Sequence, residues 1–399
     1  MEIDKLKQIA LDLQAKIEAG IKKDGLEIRC LPTFITPKTT DINGQTVVLD
    51  LGGTNYRMAR IDFVNGNPTI FPKDGWKRDL SEMKKEGYTE NELYEAQASP
   101  FAELKIENAE NTPVGYCFSY PAAALPKGDA KLLYWRKGVN IKEMVEKPVG
   151  EPLLNYFREK KQLNFNGIKV INDTVASLFA GLTKSGYDAY IGLIVGTGTN
   201  MAALMRTDKI EKLTDAEKEG MGNYIPINLE SGNFHPQHLT EYDEIVDENS
   251  GSRGEQRFEK AISGMYLGEI FKAIYPNDEF EEKFDAQTIT TMLSYPSIYK
   301  DEYVKTAQWI YERSAQLVAA ALTGLTLVLL SHDETIKKVL LTAEGSLFWS
   351  KNRKGKSYAE MVEEELHNLL SSFGYKNVCV ELLQMENANL IGTAIAALS

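Results

Sequence analysis

The chain has 399 residues, of which 43% are hydrophobic and 26% are charged, and its formal net charge is −12 with an isoelectric point near 5.1. This composition predicts a folded protein with a large core, and the length favours about two to three domains. An acidic chain is poorly suited to bind nucleic acid or an anionic membrane, because both are polyanions. We therefore expect no nucleic-acid partner and no membrane partner.

Cysteine usage and hydropathy point to a reducing compartment. Cys30, Cys117 and Cys379 lie far apart and form no CxxC spacing, which predicts neither a disulfide framework nor a zinc site. Residues 1–14 are charged throughout and lack the features of a signal peptide. The longest apolar stretch, 317–330, has 14 residues, and the ~20 needed to span a bilayer are not reached. We expect a buried helix there and a cytoplasmic protein.

The first predicted elements are an amphipathic helix and a pair of strands. Apolar residues recur every three or four positions from Ile3 to Ile21, which predicts a helix. Residues 46–63 read as two strands joined by the tight turn Gly52-Gly53-Thr54-Asn55. The charged segment 74–111 is predicted to be helical and exposed.

Strands and helices then alternate, which favours an α/β fold. A strand is predicted at 114–119, and a short strand at 170–171 ends at Asn172-Asp173-Thr174 and opens a helix over 175–182. A further strand, 190–195, ends in Gly196-Thr197-Gly198-Thr199-Asn200. From Glu255 onward helical periodicity dominates, broken by a strand at 339–342.

The two glycine turns are candidate phosphate sites. A turn of Gly, Thr and Asn exposes backbone N–H groups with no Cβ in the way, and such a turn cradles phosphate. A plain hairpin turn is the alternative for each turn taken alone. Other phosphate motifs fail, because Gly355-Lys356-Ser357 has Ser350 where a P-loop needs glycine, and Gly196-Thr197-Gly198 is followed by Met201 where GxGxxG needs glycine.

Two aspartates stand at predicted strand ends. Asp50 precedes the first glycine turn and is a candidate to hold Mg²⁺ through water, while capping of the turn is a compatible alternative. Asp173 is a candidate helix N-cap. It is also a candidate general base, since Ser119, Asn200 and Glu230 follow other strands and such side chains can converge on one cleft. Short carboxylates and amides suit a ligand that is a ring of hydroxyls.

These segments resemble the hexokinases, which belong to the actin-like ATPase superfamily. The resemblance runs in family order from about residue 31 to the C-terminus. The matching segments are 49–57 and 195–200 for the two phosphate motifs, 118–121 with 135–138 for the sugar signature, 171–175 for the catalytic aspartate, 228–232 and 258–260 for sugar-binding glutamates, and 344–346 for the adenosine side. One departure is Arg136, which stands where family members usually have a sugar-bonding threonine.

The resemblance implies an α/β fold of two ribonuclease-H-like (actin-like ATPase) lobes around a central cleft, each a mixed sheet flanked by helices. The small lobe is expected over 45–172, with a C-terminal helix at about 387–399 packing on it. The large lobe is expected to comprise 1–44 and 173–386. Lobe closure around the sugar is expected to complete the site.

The resemblance also implies transfer of the γ-phosphoryl of ATP to the 6-hydroxyl of a hexose, most simply glucose, with Asp173 as catalytic base. The implied sugar-binding residues are Ser119, Lys137, Asn172, Asp173, Asn200, Glu230 and Glu259. The implied nucleotide and phosphate-binding residues are Asp50, Gly52, Gly53, Thr54, Asn55, Gly196, Thr197, Gly198, Thr199, Gly345 and Ser346, with Asp50 holding Mg²⁺ through water.

The expected partners are therefore ATP and a hexose, with Mg²⁺, and the chain is expected to be a monomer or a homodimer. Two alternatives remain. One is a kinase for another sugar, and the other is a sugar-binding regulator that has the fold but little catalysis.

Overall fold

The computed structural model describes residues 1–38, 42–53, 55–106, 108–136, 138–352 and 355–399. Its strands are numbered along the chain. They are β1 (Leu31–Pro32), β2 (Gly44–Leu51), β3 (Asn55–Val64), β4 (Asn67–Asp79), β5 (Val114–Phe118), β6 (Ala122–Ala124), β7 (Ala130–Leu132), β8 (Ile168–Ile171), β9 (Ala189–Val195), β10 (Thr199–Arg206), β11 (Tyr224–Asn228), β12 (Lys338–Glu344) and β13 (Cys379–Leu383).

The α-helices are numbered in the same way. They are α1 (Ile3–Gly20), α2 (Glu90–Ala98), α3 (Gly150–Lys161), α4 (Asp173–Gly181), α5 (Asp215–Lys218), α6 (Glu241–Asn249), α7 (Arg257–Ile262), α8 (Gly264–Ile274), α9 (Ala286–Ser294), α10 (Asp301–His332), α11 (Tyr358–Ser372) and α12 (Ala388–Leu398).

Two mixed sheets share one topology over five strands each, and β1 adds a sixth strand to the large sheet. The small sheet has five strands in the order β4-β3-β2-β5-β8, and the large sheet has six in the order β1-β11-β10-β9-β12-β13. In the small sheet β4, β3 and β2 are antiparallel neighbours, while β2, β5 and β8 are parallel. In the large sheet β11, β10 and β9 are antiparallel, while β9, β12 and β13 are parallel. In both sheets a tight turn therefore joins the central strand to its antiparallel partner.

Helices α4 and α12 lie between the two sheets. Helix α4 packs on β9, β10 and β12 of the large sheet, whereas α12 packs on β2, β5 and β8 of the small sheet, and the two helices pack on each other. Gly392 of α12 permits this contact, since a Cβ there would lie 1.8 Å from the carbonyl oxygen of Ala176. A buried apolar cluster that includes Val48, Val175 and Ile395 fills the space between the sheets.

The largest core lies on the far side of the large sheet. There α1 and α11 pack on α10, whose residues from Leu317 to Leu330 are buried. Helix α10 is long and apolar enough to cross a membrane, but nearly all of its apolar stretch is buried inside the protein, as in a core helix. The structure thus confirms the buried helix expected over 317–330.

Most of the elements expected from sequence are present, and two expectations are wrong. Residues 74–79 continue strand β4 rather than form a helix. Helix α2 lies in the segment expected to be helical, but it is not exposed throughout, because it buries Leu93, Tyr94 and Ala98. Strand β13 was not expected. The expected helix 3–21 and the strand pairs around both glycine turns are confirmed.

The small sheet is built from residues 44–171, and α12 packs on it. The large sheet takes its strands from both sides of that segment. The lobe boundary expected at residue 172 stays a prediction.

Candidate active site

The first turn, residues 52–55, joins β2 to β3. Its backbone closes where Gly52 N–H donates to the carbonyl of Asn55 at 2.9 Å, and Thr54 lies outside the described residues. Asp50, at the end of β2, is buried. Its Oδ2 accepts from Nε and Nη2 of Arg57 at 2.9 and 2.6 Å. This carboxylate is thereby paired with an arginine on the next strand, and the alternative that it caps the turn stays a prediction.

The end of β5 lies directly beside the first turn. Ser119 N–H donates to the carbonyl of Leu51 at 3.1 Å, and the Tyr120 hydroxyl donates to the carbonyl of Gly52 at 2.9 Å. This contact exists because β2 and β5 are parallel neighbours, so their carboxyl ends meet at one edge. The candidate sugar segment is thereby fixed to the candidate phosphate turn. Lys137, further along this segment, lies outside the described residues.

Asp173 is the first residue of α4. The N-cap is Asn172, whose Oδ1 accepts from Thr174 N–H at 2.9 Å. The Asp173 carboxylate accepts from the same N–H at 2.8 Å. The expectation that Asp173 caps the helix is therefore wrong by one residue, because Asn172 has the extended backbone that a cap requires.

A cavity of about 490 Å³ brings several of the predicted residues together. It is lined by Asp50, Gly52, Asn55, Arg57, Lys77, Ser119, Asp173 and Asn389. A candidate phosphate turn and a candidate base therefore face one space.

Three of these lining residues were not assigned to the site from sequence. Lys77 and Arg57 sit opposite each other on β4 and β3, and both bring positive charge to the cavity. Asn389 arrives from α12, far away in sequence. Of these three residues, only Arg57 has a position in the sequence that indicates the site, because it lies two residues after the first turn.

The second turn, residues 196–199, joins β9 to β10. Gly196 N–H donates to the carbonyl of Gly198 at 2.9 Å, and Thr199 N–H donates to Oε2 of Glu259 at 3.0 Å. Gly345 lies against this turn, because a Cβ on Gly345 would lie 2.1 Å from the carbonyl oxygen of Val195. Gly345 also has φ +115°, where glycine is strongly favoured. The candidate adenosine motif is thus adjacent to the second turn.

A chain of hydrogen bonds connects the polar residues beyond this turn. Asn200 Nδ2 donates to Oδ1 of Asn228 at 2.7 Å, and Asn228 Nδ2 donates to Oε1 of Glu230 at 2.8 Å. Burial raises the pKa of the Glu230 carboxyl. Glu230 also has φ 55°, a left-handed conformation uncommon for this residue type. Asn228 was not assigned a role from sequence, although it is the first residue of the matching segment 228–232.

The predicted residues thus fall into two groups. Those that line the 490 Å³ cavity are Asp50, Gly52, Asn55, Ser119 and Asp173. The second group, formed by the second turn with Asn200, Glu230, Glu259, Gly345 and Ser346, is not part of that lining. Asn172 and Asn228 both line a second cavity of about 30 Å³, where the two groups approach each other. Gly53 lies in the first turn.

Glu344, at the end of β12, is a half-buried carboxyl beside these groups. Its pKa is raised to about 7, chiefly by burial and also by the carboxylates of Asp50 and Asp173, while the Arg57 guanidinium acts in the opposite direction. With its amide nitrogen turned toward its acceptors, Asn389 donates to the carbonyl of Asp173 at 3.1 Å and to Oε2 of Glu344 at 3.3 Å. Residues from β2, α4, β12 and α12 are thereby electrostatically coupled.

Two sheets of one topology, with paired helices between them and a glycine turn at the same place in each, define the class of protein: the fold is that of the actin-like ATPases. A hexokinase from Schistosoma mansoni complexed with glucose shares it with a TM-score of 0.79 and 24% identity, over 100% of this chain and 96% of that one. A second hexokinase structure gives a TM-score of 0.80 at 24% identity over the same shares.

The chain belongs to the hexokinase family. Two sequence models of that family match it, one over residues 1–182 and the other over 190–277 and 286–399. Hexokinase-2 of Solanum tuberosum is 33% identical over 282 residues, which is 68% of this chain and 56% of that protein. Hexokinase-7 of Oryza sativa subsp. japonica is 33% identical over 283 residues, 68% of this chain and 60% of that protein.

The matched region therefore spans less than two thirds of the length of these two relatives. Hexokinase-1 of Arabidopsis thaliana aligns more widely at lower similarity. It is 27% identical over 448 aligned positions, which cover 100% of this chain and 88% of that protein.

Proposed function

We propose that this protein transfers the γ-phosphoryl group of ATP to the 6-hydroxyl of a hexose and releases hexose 6-phosphate. The observation that carries the proposal is the cavity in which Asp173 faces Asp50 and Gly52. A base and a phosphate-binding turn in one space are what phosphoryl transfer to a hydroxyl needs. Glucose is the first candidate substrate, since a relative of the same fold was solved with glucose bound.

In this proposal Asp173 accepts the proton of the 6-hydroxyl as that oxygen attacks phosphorus. Phosphoryl transfer asks the protein mainly for positioning and for stabilisation of charge. Arg57 and Lys77 line the cavity and supply positive charge for the phosphates. The backbone N–H groups of the two turns are proposed as further phosphate donors.

The residues present fit Mg²⁺ held largely by water and by the nucleotide. No group of three or more His, Cys, Asp or Glu side chains suited to a metal occurs among the described residues. Asp50 lines the cavity, and Mg²⁺ commonly takes one or two carboxylates together with waters and phosphate oxygens. When bound, Mg²⁺ would neutralise phosphate charge. Asp50 would hold it through water, with Arg57 fixing the carboxylate.

A kinase for a different sugar is a second candidate, favoured by Arg136. This side chain lies over the Tyr134 ring at 5.3 Å, and its Nη2 is 4.0 Å from the Glu255 carboxylate. Burial raises the pKa of Glu230, and the positive charges of Arg29 and Arg136 act in the opposite direction. The charge of Arg136 thus acts on a proposed sugar ligand, and we propose that it influences which sugar binds.

The proposal is tested by measuring ADP release with glucose, mannose, fructose and N-acetylglucosamine as acceptors. We expect hexose-dependent ADP release, with phosphorus NMR showing a 6-phosphate product. Release with only a different sugar would favour the second candidate. Hexose binding by calorimetry without any ADP release would show a regulator and overturn the proposal.

We further propose that the protein is cytoplasmic and works as a monomer or homodimer with small-molecule partners. The buried free thiols of Cys30 and Cys117 are compatible with a reducing compartment. Fractionation of cells and light scattering of the purified chain test these two points.

A further inference from the structure

The hydrogen bond between Glu259 and the second turn joins two proposed subsites. Glu259 is proposed to bind the sugar, and the N–H of Thr199 is proposed to bind phosphate. In the structure Oε2 of Glu259 accepts from Thr199 N–H at 3.0 Å. The carboxylate is packed against the turn, because a Cβ on Gly198 would lie 2.5 Å from the same oxygen. One phosphate donor is therefore occupied by a group assigned to the other substrate.

The negative charge of Glu259 also opposes phosphate at this turn. A carboxylate beside an anion site repels the anion, and the repulsion is stronger where water is partly excluded. Without sugar, the second turn thus presents both a blocked N–H and a like charge to the nucleotide.

The second turn keeps its shape through other bonds. Gly264 N–H donates to the carbonyl of Gly196 at 2.7 Å, and Met265 N–H donates to the carbonyl of Thr197 at 3.3 Å. These bonds come from the backbone at the start of α8. They are independent of the Glu259 side chain, so removal of that side chain leaves the turn supported.

Helix α7, which carries Glu259, is held in place by buried ion pairs. Asp247 accepts from Arg257 Nη1 at 2.9 Å and from Lys260 Nζ at 2.6 Å. All three side chains are at least 95% buried, and breaking one partner of a buried pair is strongly destabilising. The helix backbone is therefore fixed, and a change of partner by Glu259 requires only rotation of its side chain.

We propose that the sugar switches the second turn on: hexose hydroxyls draw the Glu259 carboxylate off Thr199, and the freed N–H then becomes available to the nucleotide phosphates. The exchange conserves the number of hydrogen bonds to the carboxylate, with sugar O–H donors replacing one backbone N–H. It rests on the proposed function, and it supplies a physical reason for nucleotide binding to improve when sugar is present.

The test is the affinity of the sugar-free protein for a non-hydrolysable ATP analogue with Mg²⁺, measured by calorimetry. Glu259→Ala removes both the charge and the acceptor, so the analogue should bind about tenfold more tightly than to wild type, as expected for one hydrogen bond to a charged group. Glu259→Gln removes only the charge and should give a smaller gain. A general structural role for Glu259 would instead weaken binding.

The matched control is Glu230→Ala, which removes the other proposed sugar glutamate. Its Oε1 accepts from Asn228 rather than from the turn, so sugar-free nucleotide affinity should match wild type. Adding glucose should strengthen analogue binding to wild type and leave Glu259→Ala unchanged. Equal or weaker binding by both Glu259 variants, or an equal gain in the Glu230 variant, would overturn the switch.

The outcomes separate this inference from the proposed function. If the wild-type chain phosphorylates no sugar, the proposed function is wrong, independently of the results with the variants. If the wild-type chain phosphorylates glucose but the Glu259 variants bind the ATP analogue no more tightly than wild type, only the switch is contradicted. Thermal melting of each variant checks folding, and the Gln variant decides the question if the Ala variant does not fold.

Discussion

Asp173 occupies a position that serves both the helix and the proposed chemistry. Its carboxylate accepts from Thr174 N–H at 2.8 Å and lines the cavity. In Asp173→Asn the amide oxygen can still accept that N–H, so α4 should keep its start, while the proton acceptor is lost. General-base catalysis typically raises the rate of the chemical step ~10²–10⁴-fold, so kcat of Asp173→Asn should fall by at least that factor.

The measurement is steady-state ADP release at saturating hexose and ATP. Asp215→Asn, in the first turn of α5 outside the cavity lining, is the matched control and should retain wild-type kcat. Near-wild-type kcat in a folded Asp173→Asn protein would contradict the assignment of the base.

Glu344 gives stability a dependence on pH with a definite sign. Burial raises its pKa to about 7 from an ordinary 4.5. Between these values the folded chain holds a proton that the unfolded chain has lost, so this carboxyl makes the protein less stable as pH rises from 4.5 to 7. Glu344→Gln removes the effect. Its free energy of unfolding relative to wild type should rise by on the order of 2–3 kcal/mol between acid and mildly alkaline pH.

Urea unfolding at a series of pH values checks this prediction. Glu334→Gln changes an exposed glutamate in the loop between α10 and β12 and should give no such trend. A stability difference for Glu344→Gln that does not vary with pH would show that Glu344 titrates in the folded chain as it does in the unfolded one.

At the scale of elements, the contact between α12 and α4 sets how closely the two sheets approach. A Cβ on Gly392 would lie 1.8 Å from the carbonyl oxygen of Ala176, and backbone cannot yield easily. Gly392→Ala gains at most ~1 kcal/mol of helix propensity. Overpacking typically costs ~1–3 kcal/mol, and a clash with backbone lies at the upper end. We expect net destabilisation of about 1–2 kcal/mol.

Thermal and urea unfolding measure the loss in Gly392→Ala. Gly251→Ala is the control, because nothing lies within 4 Å of a Cβ at that position. Since α4 begins at Asp173, kcat should also fall in the Gly392 variant. An unchanged free energy of unfolding in Gly392→Ala would contradict this prediction, because α4 and α12 could then move apart without loss of stability.

The elements that sequence predicted correctly have local causes. Each glycine turn stands between two apolar strands, and the turn residues alone favour a hairpin there. Strand β4 was misread because it is the edge of the small sheet and pairs only with β3. Its outer residues, such as Lys73, Asp74 and Lys77, face solvent or the cavity, and their charges are typical of an exposed helix as well as of an edge strand.

The site was predictable where the chain itself brings residues together. Asp50 and the first turn are contiguous, as are Asn172 and Asp173. Asn389 could not be anticipated, because it reaches the cavity only through the packing of α12 on α4. The same holds for the bond from Thr199 to Glu259, which spans 60 residues. Roles in catalysis and binding stay predictions until the variants are measured.

At the scale of the molecule, several of the proposed sugar-binding residues lie at the strand ends of both sheets. Ser119 follows a strand of the small sheet, whereas Asn200 and Glu230 lie at the ends of large-sheet strands. A sugar that binds both sets draws them together, so saturating glucose should lower the radius of gyration in X-ray scattering. Glu230→Ala should show a smaller decrease at the same glucose concentration. A wild-type radius unchanged by glucose would count against closure.

The position of α12 has a consequence for how the protein folds. This helix covers the face of β2 and β5, yet more than 200 residues separate it from β8, the last strand of the sheet it covers. A fragment limited to residues 44–172 would leave that apolar face in water and should aggregate or remain unfolded. The small sheet is therefore not an independent cooperative unit. The small sheet can reach its folded state only after α12, which is synthesised after the strands of the large sheet. Chemical denaturation should therefore unfold both sheets in one transition.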